Sequence, residues 1–518
     1  MHTLDSYDQV PYESLAIPET HPDYLATLAR LLGIPAAHPE GCRVLELGAA
    51  AGGNLIPMAF HLPASDFVGV ELSAEQAQRG QAMIAQLGLA NAHLLHQNIL
   101  DIDASQEPFD YIVVHGVYSW VPEMVKEHIL HVCGRLLSEH GIAYVSYNVL
   151  PGWRLRGMLR DMLLHHAQGA ATPGERLERA HELLDLLAQG LAGDARPGAD
   201  VLRREAEYLR TARASYLYHE YLEETNAPEL FGDFMTRARR HGLQYLADAQ
   251  LHSMFASTLG GAAESVLSRF DDQVEQEQYM DFLRLRPFRQ TLLIRADAPP
   301  ELDVDLERLH DMALYADLHA ERSVRLDRPR AQTWTTAGGG SFEIEHPLTK
   351  AVLEQLAVAY PNAMPLRSLL EQAAERVHRA GGRQHAQETA SCLGELFNLY
   401  ASQAIGLTLR DRQWPNAITQ RPRASALARA QAACGEGHVA TVRHGSLGLD
   451  PLSARLLSLL DGNRDREAVI DALLQAIAAE PELAATVGET NDPQRLRQVV
   501  SANMERLLDL FARGGLLD

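Results

Sequence analysis

The chain has 518 residues, and at roughly 100–200 residues per domain it divides into about three or four. Hydrophobic residues at 46% and charged residues at 22% exclude a disordered or fibrous protein. Asp and Glu outnumber Lys and Arg by 68 to 46, and the net charge of -22 repels phosphate backbones and favours basic ligands. No nucleic acid partner is therefore expected. No apolar run approaches the ~18–20 residues of a membrane helix, and the segment from Met1 to Glu13 has no basic, apolar leader. A cytoplasmic location with no stable membrane insertion follows as an expectation. Cys42, Cys133, Cys392 and Cys434 lie far apart without CxxC spacing, so reduced, mostly buried thiols are expected, with neither a disulfide framework nor a metal site.

Thr20-His21-Pro22-Asp23 offers a helix N-cap, followed at helical spacing by Leu25, Leu28, Ala29 and Leu32 up to Gly33. Short apolar runs at Val44–Leu47, Phe67–Val70 and His93–Leu95 then alternate with helical stretches, one of them Ala74–Leu87. The alternation continues through Tyr111–Val114, a helix with Met124, Val125, Ile129, Val132 and Leu136 on one side, and Ile142–Tyr147. Five strands with intervening helices predict an α/β fold with a doubly wound, Rossmann-like parallel sheet over residues 1–165. Residues 166–300 read as a helical insertion. Leu177, Ala180, Leu184, Leu187 and Leu191 share a helix face, a break follows at 193–200, and a helical block runs to about Phe282. Phe288–Ile294 is apolar and extended, a late strand able to return to the sheet. Beyond it, short helices at 351–360, 366–379, 387–400, 451–460, 466–478 and 493–513, with extended pieces at 404–409 and 438–443, suggest winged-helix-like units at 301–425 and 426–518.

The chemistry concentrates in Val44-Leu-Glu46-Leu-Gly48-Ala-Ala50-Ala-Gly52-Gly-Asn54, a strand that runs into small residues and opens a helix. Such a loop lets a ligand approach backbone N–H groups at a helix N-terminus. It lacks the GxGxxG of dinucleotide sites, and Glu46 would sit badly beside a pyrophosphate. An acid there suits an ammonium group such as that of S-adenosyl-L-methionine. Glu71, followed by Leu72, ends the second strand where a carboxylate can accept from both ribose hydroxyls. Asn98 and Ile99 end the third, where an amide meets the adenine amine and an apolar side chain its ring.

The stretches ELGAAAGGNLIPMA, VHGVYSWVPE and SYNVLPGW resemble the class I S-adenosylmethionine-dependent methyltransferases that carry a methyltransferase regulatory domain, a group that includes the rickettsial protein lysine methyltransferases. So do YDQVPYESLAIPETHPDYLATLA, YLYHEYLEETNAPELFGDF and, more weakly, LDPLSARLLSLLDGNRDRE. The resemblance implies that Glu46, Gly48, Gly52 and Asn54 hold the methionine end, with Ala50 in the same loop, Glu71 the ribose and Asn98 the adenine. It puts His115 and Gly116 near the sulfonium. It also implies a dimerisation region and hence a homodimer.

Methyl transfer from a sulfonium needs a neutral nucleophile in line behind the methyl carbon, with water kept out. His115, Tyr118, Trp120, Tyr147, Asn148 and Trp153 are the candidates for that task at the ends of strands four and five. Their aromatic rings would favour a cationic amine by about 0.5–2 kcal/mol per contact, and His115 could relay a proton near neutral pH. Tyr7, Asp8 and Tyr12 precede the first helix in an arm that suits a lid over the cofactor. His219-Glu220 begins an HExx string, but position 223 is Glu223, so a zinc-protease site is excluded and a solvated helix face expected; the adjacent His165 and His166 point to different sides of a helix. Lys126 and Lys350 are the only lysines, so a protein substrate with an accessible lysine must be external. The expected function is a methyltransferase acting on protein lysine. The alternatives are a small-molecule or other side-chain methyltransferase, or a non-catalytic binding protein.

Overall fold

The computed structural model describes residues 10, 13–103, 105–297, 304–382, 386–415, 418–487 and 492–518. The expected lid residues Tyr7, Asp8 and Tyr12 lie outside them. The five expected strands form as β1 (Arg43–Leu47), β2 (Asp66–Glu71), β3 (Ala92–His96), β4 (Phe109–Val114) and β5 (Leu137–Asn148), all parallel. Two later strands complete the sheet, β6 (Leu243–Asp248) and β7 (Phe288–Arg295), giving the order β3-β2-β1-β4-β5-β7-β6 with β7 antiparallel to both neighbours. β7 is the returning segment that the sequence pattern marks. β6 corrects the pattern, which reads helix there: LQYLAD is extended because β7 supplies its hydrogen bonds, a partner some fifty positions along the chain.

Buried on both faces, the strands send alternate side chains into two cores. Val44, Phe67, Tyr111, Val113, Ile142 and Tyr144 face α1 (Pro22–Leu31), α2 (Leu55–His61) and the units that follow residue 304; this core continues through Leu309 to Leu407. Leu45, Leu47, Ile112, Val114, Val145 and Tyr147 face the opposite core. α3 (Ala74–Leu87) spans the expected residues because Ser73 caps its start by accepting from Gln76 N and Gly88 ends it at φ +65°. α4 (Glu123–Leu136) belongs to the second core with one exchange: Met124 is 66% exposed and Lys126 is 1% exposed. The apolar stripe placed Met124 inward, but the Lys126 ammonium is met there by the Ala227 carbonyl at 3.0 Å, by Glu123 at 3.3 Å and by the face of the Tyr118 ring.

The insertion contributes α5 (Gly152–His166), α6 (Pro173–Gly190), α7 (Pro197–Thr211) and α8 (Ala214–Tyr221), which share a core of their own around Leu159, Leu163, Leu184, Leu209 and Leu217. α9 (Phe231–Arg240), α10 (Gly261–Leu267) and α11 (Gln273–Arg284) lead back to the sheet. Beyond residue 304 come β8 (Ala313–Tyr315), β9 (Leu318–Ala320), β10 (Gln332–Thr336), β11 (Ser341–Ile344), α12 (Pro347–Ala359), β12 (Met364–Pro365), α13 (Leu366–Arg379), α14 (Ala386–Ala401) and β13 (Gly406–Thr408). The C-terminal unit has α15 (Ala426–Cys434), the hairpin β14 (His438–Ala440) and β15 (Ser446–Gly448), α16 (Pro451–Leu459), α17 (Arg466–Ala479), α18 (Pro481–Val487) and α19 (Pro493–Arg513) around a separate core. Among the described residues no helix is long and apolar enough to cross a membrane. All four cysteines are free thiols, three of them buried and Cys434 exposed.

Candidate cofactor and methyl-transfer site

The strand order reverses between β1 and β4, so the crevice at the carboxyl ends of β1, β2 and β4 is where such a sheet receives a ligand. The loop from Gly48 to Asn54 lines it. Gly48 at φ +75° and Gly52 at φ +77° take the left-handed region that only glycine enters freely, and a Cβ on Gly48 would come within 2.4 Å of Val117. Ala50 holds φ +46° without that freedom. Its N–H donates to Glu71 Oε2 at 2.9 Å, which secures the strained residue to the end of β2.

Glu46 is buried, and burial pushes its carboxyl up to about 8, with the Glu71 charge adding to the shift and the Asn54 hydrogen bond opposing it. Oε1 accepts from Asn54 Nδ2 at 2.8 Å, and Oε2 is buried with no hydrogen-bond partner. Such an orphaned carboxylate oxygen fits an incoming ammonium group. Asn54 itself is fully occupied. Its Nδ2 also donates to Thr20 at 2.9 Å, while Oδ1 accepts from Ile17 N at 2.9 Å and faces His444 Nε2 at 2.8 Å. Expected at the methionine end, its side chain is directed at Glu46, Thr20, Ile17 and His444.

Half-buried Glu71 accepts from Ala50 N–H and, at 2.8 Å, from Ser73 N–H, which fixes its carboxylate at the end of β2. Leu72 is 45% exposed beside it. Asn98 caps a short helical turn, its Oδ1 accepting from Leu100 N at 3.0 Å, and Ile99 follows, half-buried. These residues bound the same crevice on its β2–β3 side.

At the ends of β4 and β5 the candidates separate into two groups. His115, half-buried, has Nδ1 3.0 Å from the Tyr144 hydroxyl, and exposed Gly116 donates its N–H to Ser146 Oγ at 2.9 Å. Half-exposed Trp120 meets Trp153 edge to face at 6.4 Å. Tyr118 and Tyr147, by contrast, are enclosed in the core against Phe234 of α9, which stacks on Tyr147 at 4.1 Å. The expected open aromatic wall of four rings is thus reduced to Trp120 with Trp153 behind it. Asn148 is buried too, donating to Asn226 Oδ1 at 3.2 Å. Burial drives His115 down to about 4, so at neutral pH its ring is uncharged. Burial likewise holds the Tyr118 and Tyr147 phenols well above their ordinary range. The His219 string is also a correction: His219 and Glu223 are buried, 3.2 Å apart, and His219 Nε2 holds the Val10 carbonyl.

The sequence pattern missed several participants. Ser14 Oγ accepts from Gly53 N–H at 2.7 Å, and a Cβ on Gly53 would fall 1.7 Å from the Ser14 carbonyl oxygen. Residues 14–17 therefore run directly over the loop. His21, His61 and His444 cluster beneath it near Arg410; burial holds His61 and His444 at about 3 and His21 well below its ordinary value. An unfolded histidine protonates near 6.5. A depressed folded value means stability is present above about 6.5 and is lost as pH falls toward the folded value. His61→Gln removes that loss, so it should gain stability relative to the parent by about 1.4 kcal/mol per pH unit between pH 6 and 4. Denaturant unfolding of both proteins across that range measures it, and parallel pH profiles would contradict the assignment.

A family model described as a methyltransferase domain matches residues 45–143, one described as a predicted methyltransferase regulatory domain matches 213–295, and the PKMT C-terminal winged helix domain matches 420–516. The protein RP789 of Rickettsia prowazekii (strain Madrid E) is 32% identical over 99% of this chain and 93% of its own length. A second protein of that organism, RP028, is 38% identical over 46% of this chain and 96% of its own. The structure of PKMT2 from Rickettsia typhi in complex with AdoHcy superposes with a TM-score of 0.86 at 29% identity, covering 98% of this chain and 100% of that one. Its cofactor product agrees with the fit of the crevice to S-adenosylmethionine. The chain belongs to the family of S-adenosylmethionine-dependent methyltransferases with a regulatory domain and a PKMT winged-helix domain.

Proposed function

We propose that this methyltransferase acts on lysine side chains of a protein substrate, by in-line displacement. The full-length likeness to a structure named PKMT2 carries the reading. The chain's own lysines agree with it: Lys126 and Lys350 are both buried, the second donating to the Arg328 and Arg330 carbonyls at 3.4 and 3.1 Å, so neither is an acceptor. No methyl-lysine is therefore expected in the protein itself after prolonged incubation with S-adenosylmethionine, and peptide mass spectrometry checks this. The surplus of acid over base favours a basic acceptor segment.

S-adenosylmethionine supplies an electrophilic methyl group on a sulfonium. In this proposal Glu46 Oε2 binds the ammonium of the methionine end, Glu71 the ribose hydroxyls, and Asn98, Ile99 and Leu72 the adenine. His115 and Gly116 border the methyl group, and the Trp120 face orients the acceptor amine. The proton of an arriving ammonium leaves to water at the half-open mouth by Gly116, because His115 is too weak a base and the two buried phenols stay protonated. Met158, Met162, Leu186, Val201 and Leu283 are exposed apolar side chains of the helical insertion, which supports a homodimer formed through this region, and light scattering on the eluting protein tests it. A cytoplasmic location is consistent with four free thiols.

The deciding experiment is transfer of radiolabelled methyl from S-adenosylmethionine into fractionated host lysate. Label recovered as methyl-lysine after acid hydrolysis supports the proposal. Label confined to small metabolites, or to a different protein side chain, overturns it.

A further inference from the structure

The C-terminal unit reaches the cofactor loop through the hairpin of β14 and β15. The turn joining β14 to β15 is closed by Thr441 N–H donating to the Gly445 carbonyl at 2.8 Å and Gly445 N–H donating to Thr441 Oγ1 at 3.0 Å. Within it His444 holds φ +59°, a conformation that disfavours a side chain. The side chain it carries is buried, and Nε2 lies 2.8 Å from Asn54 Oδ1, 390 positions away in the chain. The same hairpin grips the segment that crosses the loop. Ser446 Oγ pairs with both the N–H and the carbonyl of Ala16 at 3.2 Å, and His438 Nε2 lies 3.2 Å from the Ser14 carbonyl. Glu436, just before β14, pairs with Arg79 of α3.

These contacts converge on one carboxyl group. The Asn54 side chain has an oxygen that only accepts and a nitrogen that donates, and a neutral imidazole donating from Nε2 requires the oxygen on its side. With Ile17 N–H donating to the same oxygen, the amide nitrogen is turned toward Glu46 Oε1 at 2.8 Å. That bond fixes one carboxyl oxygen and leaves Oε2 buried without a hydrogen-bond partner. Burial keeps His444 neutral at physiological pH, so its donor role does not alternate with a charged form.

We propose that His444 is a positioning residue for S-adenosylmethionine: through Asn54 it orients Glu46, so the C-terminal winged-helix unit completes the cofactor site. The proposal rests on the reading of Glu46 as the ammonium-binding group. It gives the C-terminal unit a task distinct from contacting the acceptor. It also makes cofactor affinity sensitive to anything that displaces the hairpin, and by linkage cofactor binding must hold the hairpin in place to the same extent.

The test uses the full-length protein and calorimetric titration with S-adenosylhomocysteine. His444→Leu keeps bulk and loses the donor; its Kd should rise roughly tenfold. His444→Gln, which keeps an N–H donor at similar reach, should stay within about threefold of the parent. A merely structural role would not distinguish the two by donor capacity. In turnover, the loss in His444→Leu should appear in the KM for S-adenosylmethionine, with kcat retained. Unaltered affinity in His444→Leu, alongside lost affinity in Glu46→Gln, overturns the proposal and leaves the cofactor reading standing. Unaltered affinity in Glu46→Gln overturns that reading itself. Should the leucine variant fail to fold, hydrogen exchange on the unaltered protein decides: amides of residues 438–448 should exchange more slowly with S-adenosylhomocysteine bound, and unchanged rates there overturn the proposal.

Discussion

Replacing Arg289 with alanine is expected to destabilise the protein by about 3–5 kcal/mol, the usual cost of removing one partner from a buried ionic network. Arg289 on β7 is fully enclosed. Its Nε and Nη2 donate to both oxygens of Asp281 at 2.8 and 2.9 Å, Nη2 also reaches Glu277 at 2.8 Å, and the guanidinium lies 3.8 Å over the Phe231 ring. Asp248 at the end of β6 completes the group, paired with Arg286 at 2.8 Å and lying 3.6 Å from Arg289. Two guanidinium groups thus face three buried carboxyls. Burial pushes Glu277 and Asp281 up, and the Arg289 charge opposes that shift. Without Arg289 the three carboxyls share one cation, so at least one must take a proton or admit water. Denaturant unfolding measures the loss, and Arg289→Ala combined with Asp281→Asn should recover part of it. A shift below 1 kcal/mol in the single variant would show that the network is not holding β6, β7 and α11 together.

Glu46→Gln is expected to weaken S-adenosylmethionine binding by about 2 kcal/mol, roughly thirtyfold in Kd, since a neutral amide replaces a charge-assisted bond to an ammonium. The pH profile makes the expectation more specific. Glu46 titrates at about 8 in the free protein, and an ammonium beside it would pull that value down. Its charged form is therefore available above about 8 and is progressively lost as pH falls, so affinity should rise by up to about tenfold per unit between pH 6 and 8. Above 8 the ligand's own α-amine loses its proton, near 7.7–8.0 in the α-amino groups of peptides. Affinity should peak close to pH 8, with about one proton released on binding below it. Calorimetry in buffers of differing ionisation enthalpy counts that proton, and Glu46→Gln should abolish the release. Equal release in parent and variant would place the titrating group elsewhere.

Local pattern was enough for β1 to β5, for α3 to the residue, and for the helices at 366–379 and 493–513. Their signals, apolar period, a capping serine and a glycine stop, lie within a few positions of the elements they specify. The glycine loop and the acids Glu46 and Glu71 were legible for the same reason, since a parallel sheet brings consecutive strand ends together. Ala50 was legible as a member of that loop, and its cost only as the φ it holds.

The remaining decisions belong to contacts between distant parts of the chain. β6 is a strand because β7 pairs with it, and Lys126 is buried in place of Met124 because the Ala227 carbonyl accepts a hydrogen bond from its ammonium. Tyr118 and Tyr147 fall into the core because Phe234 covers them, which leaves Trp120 at the mouth. The buried Arg289 network and the histidines beneath the loop follow from the same cause. By itself the sequence determined the fold class, the family and the cofactor, whose signals are short in range. Which side chains face that crevice, and that His444 reaches it through Asn54, only the tertiary structure decided, because burial and hydrogen-bond partners are set by residues hundreds of positions apart.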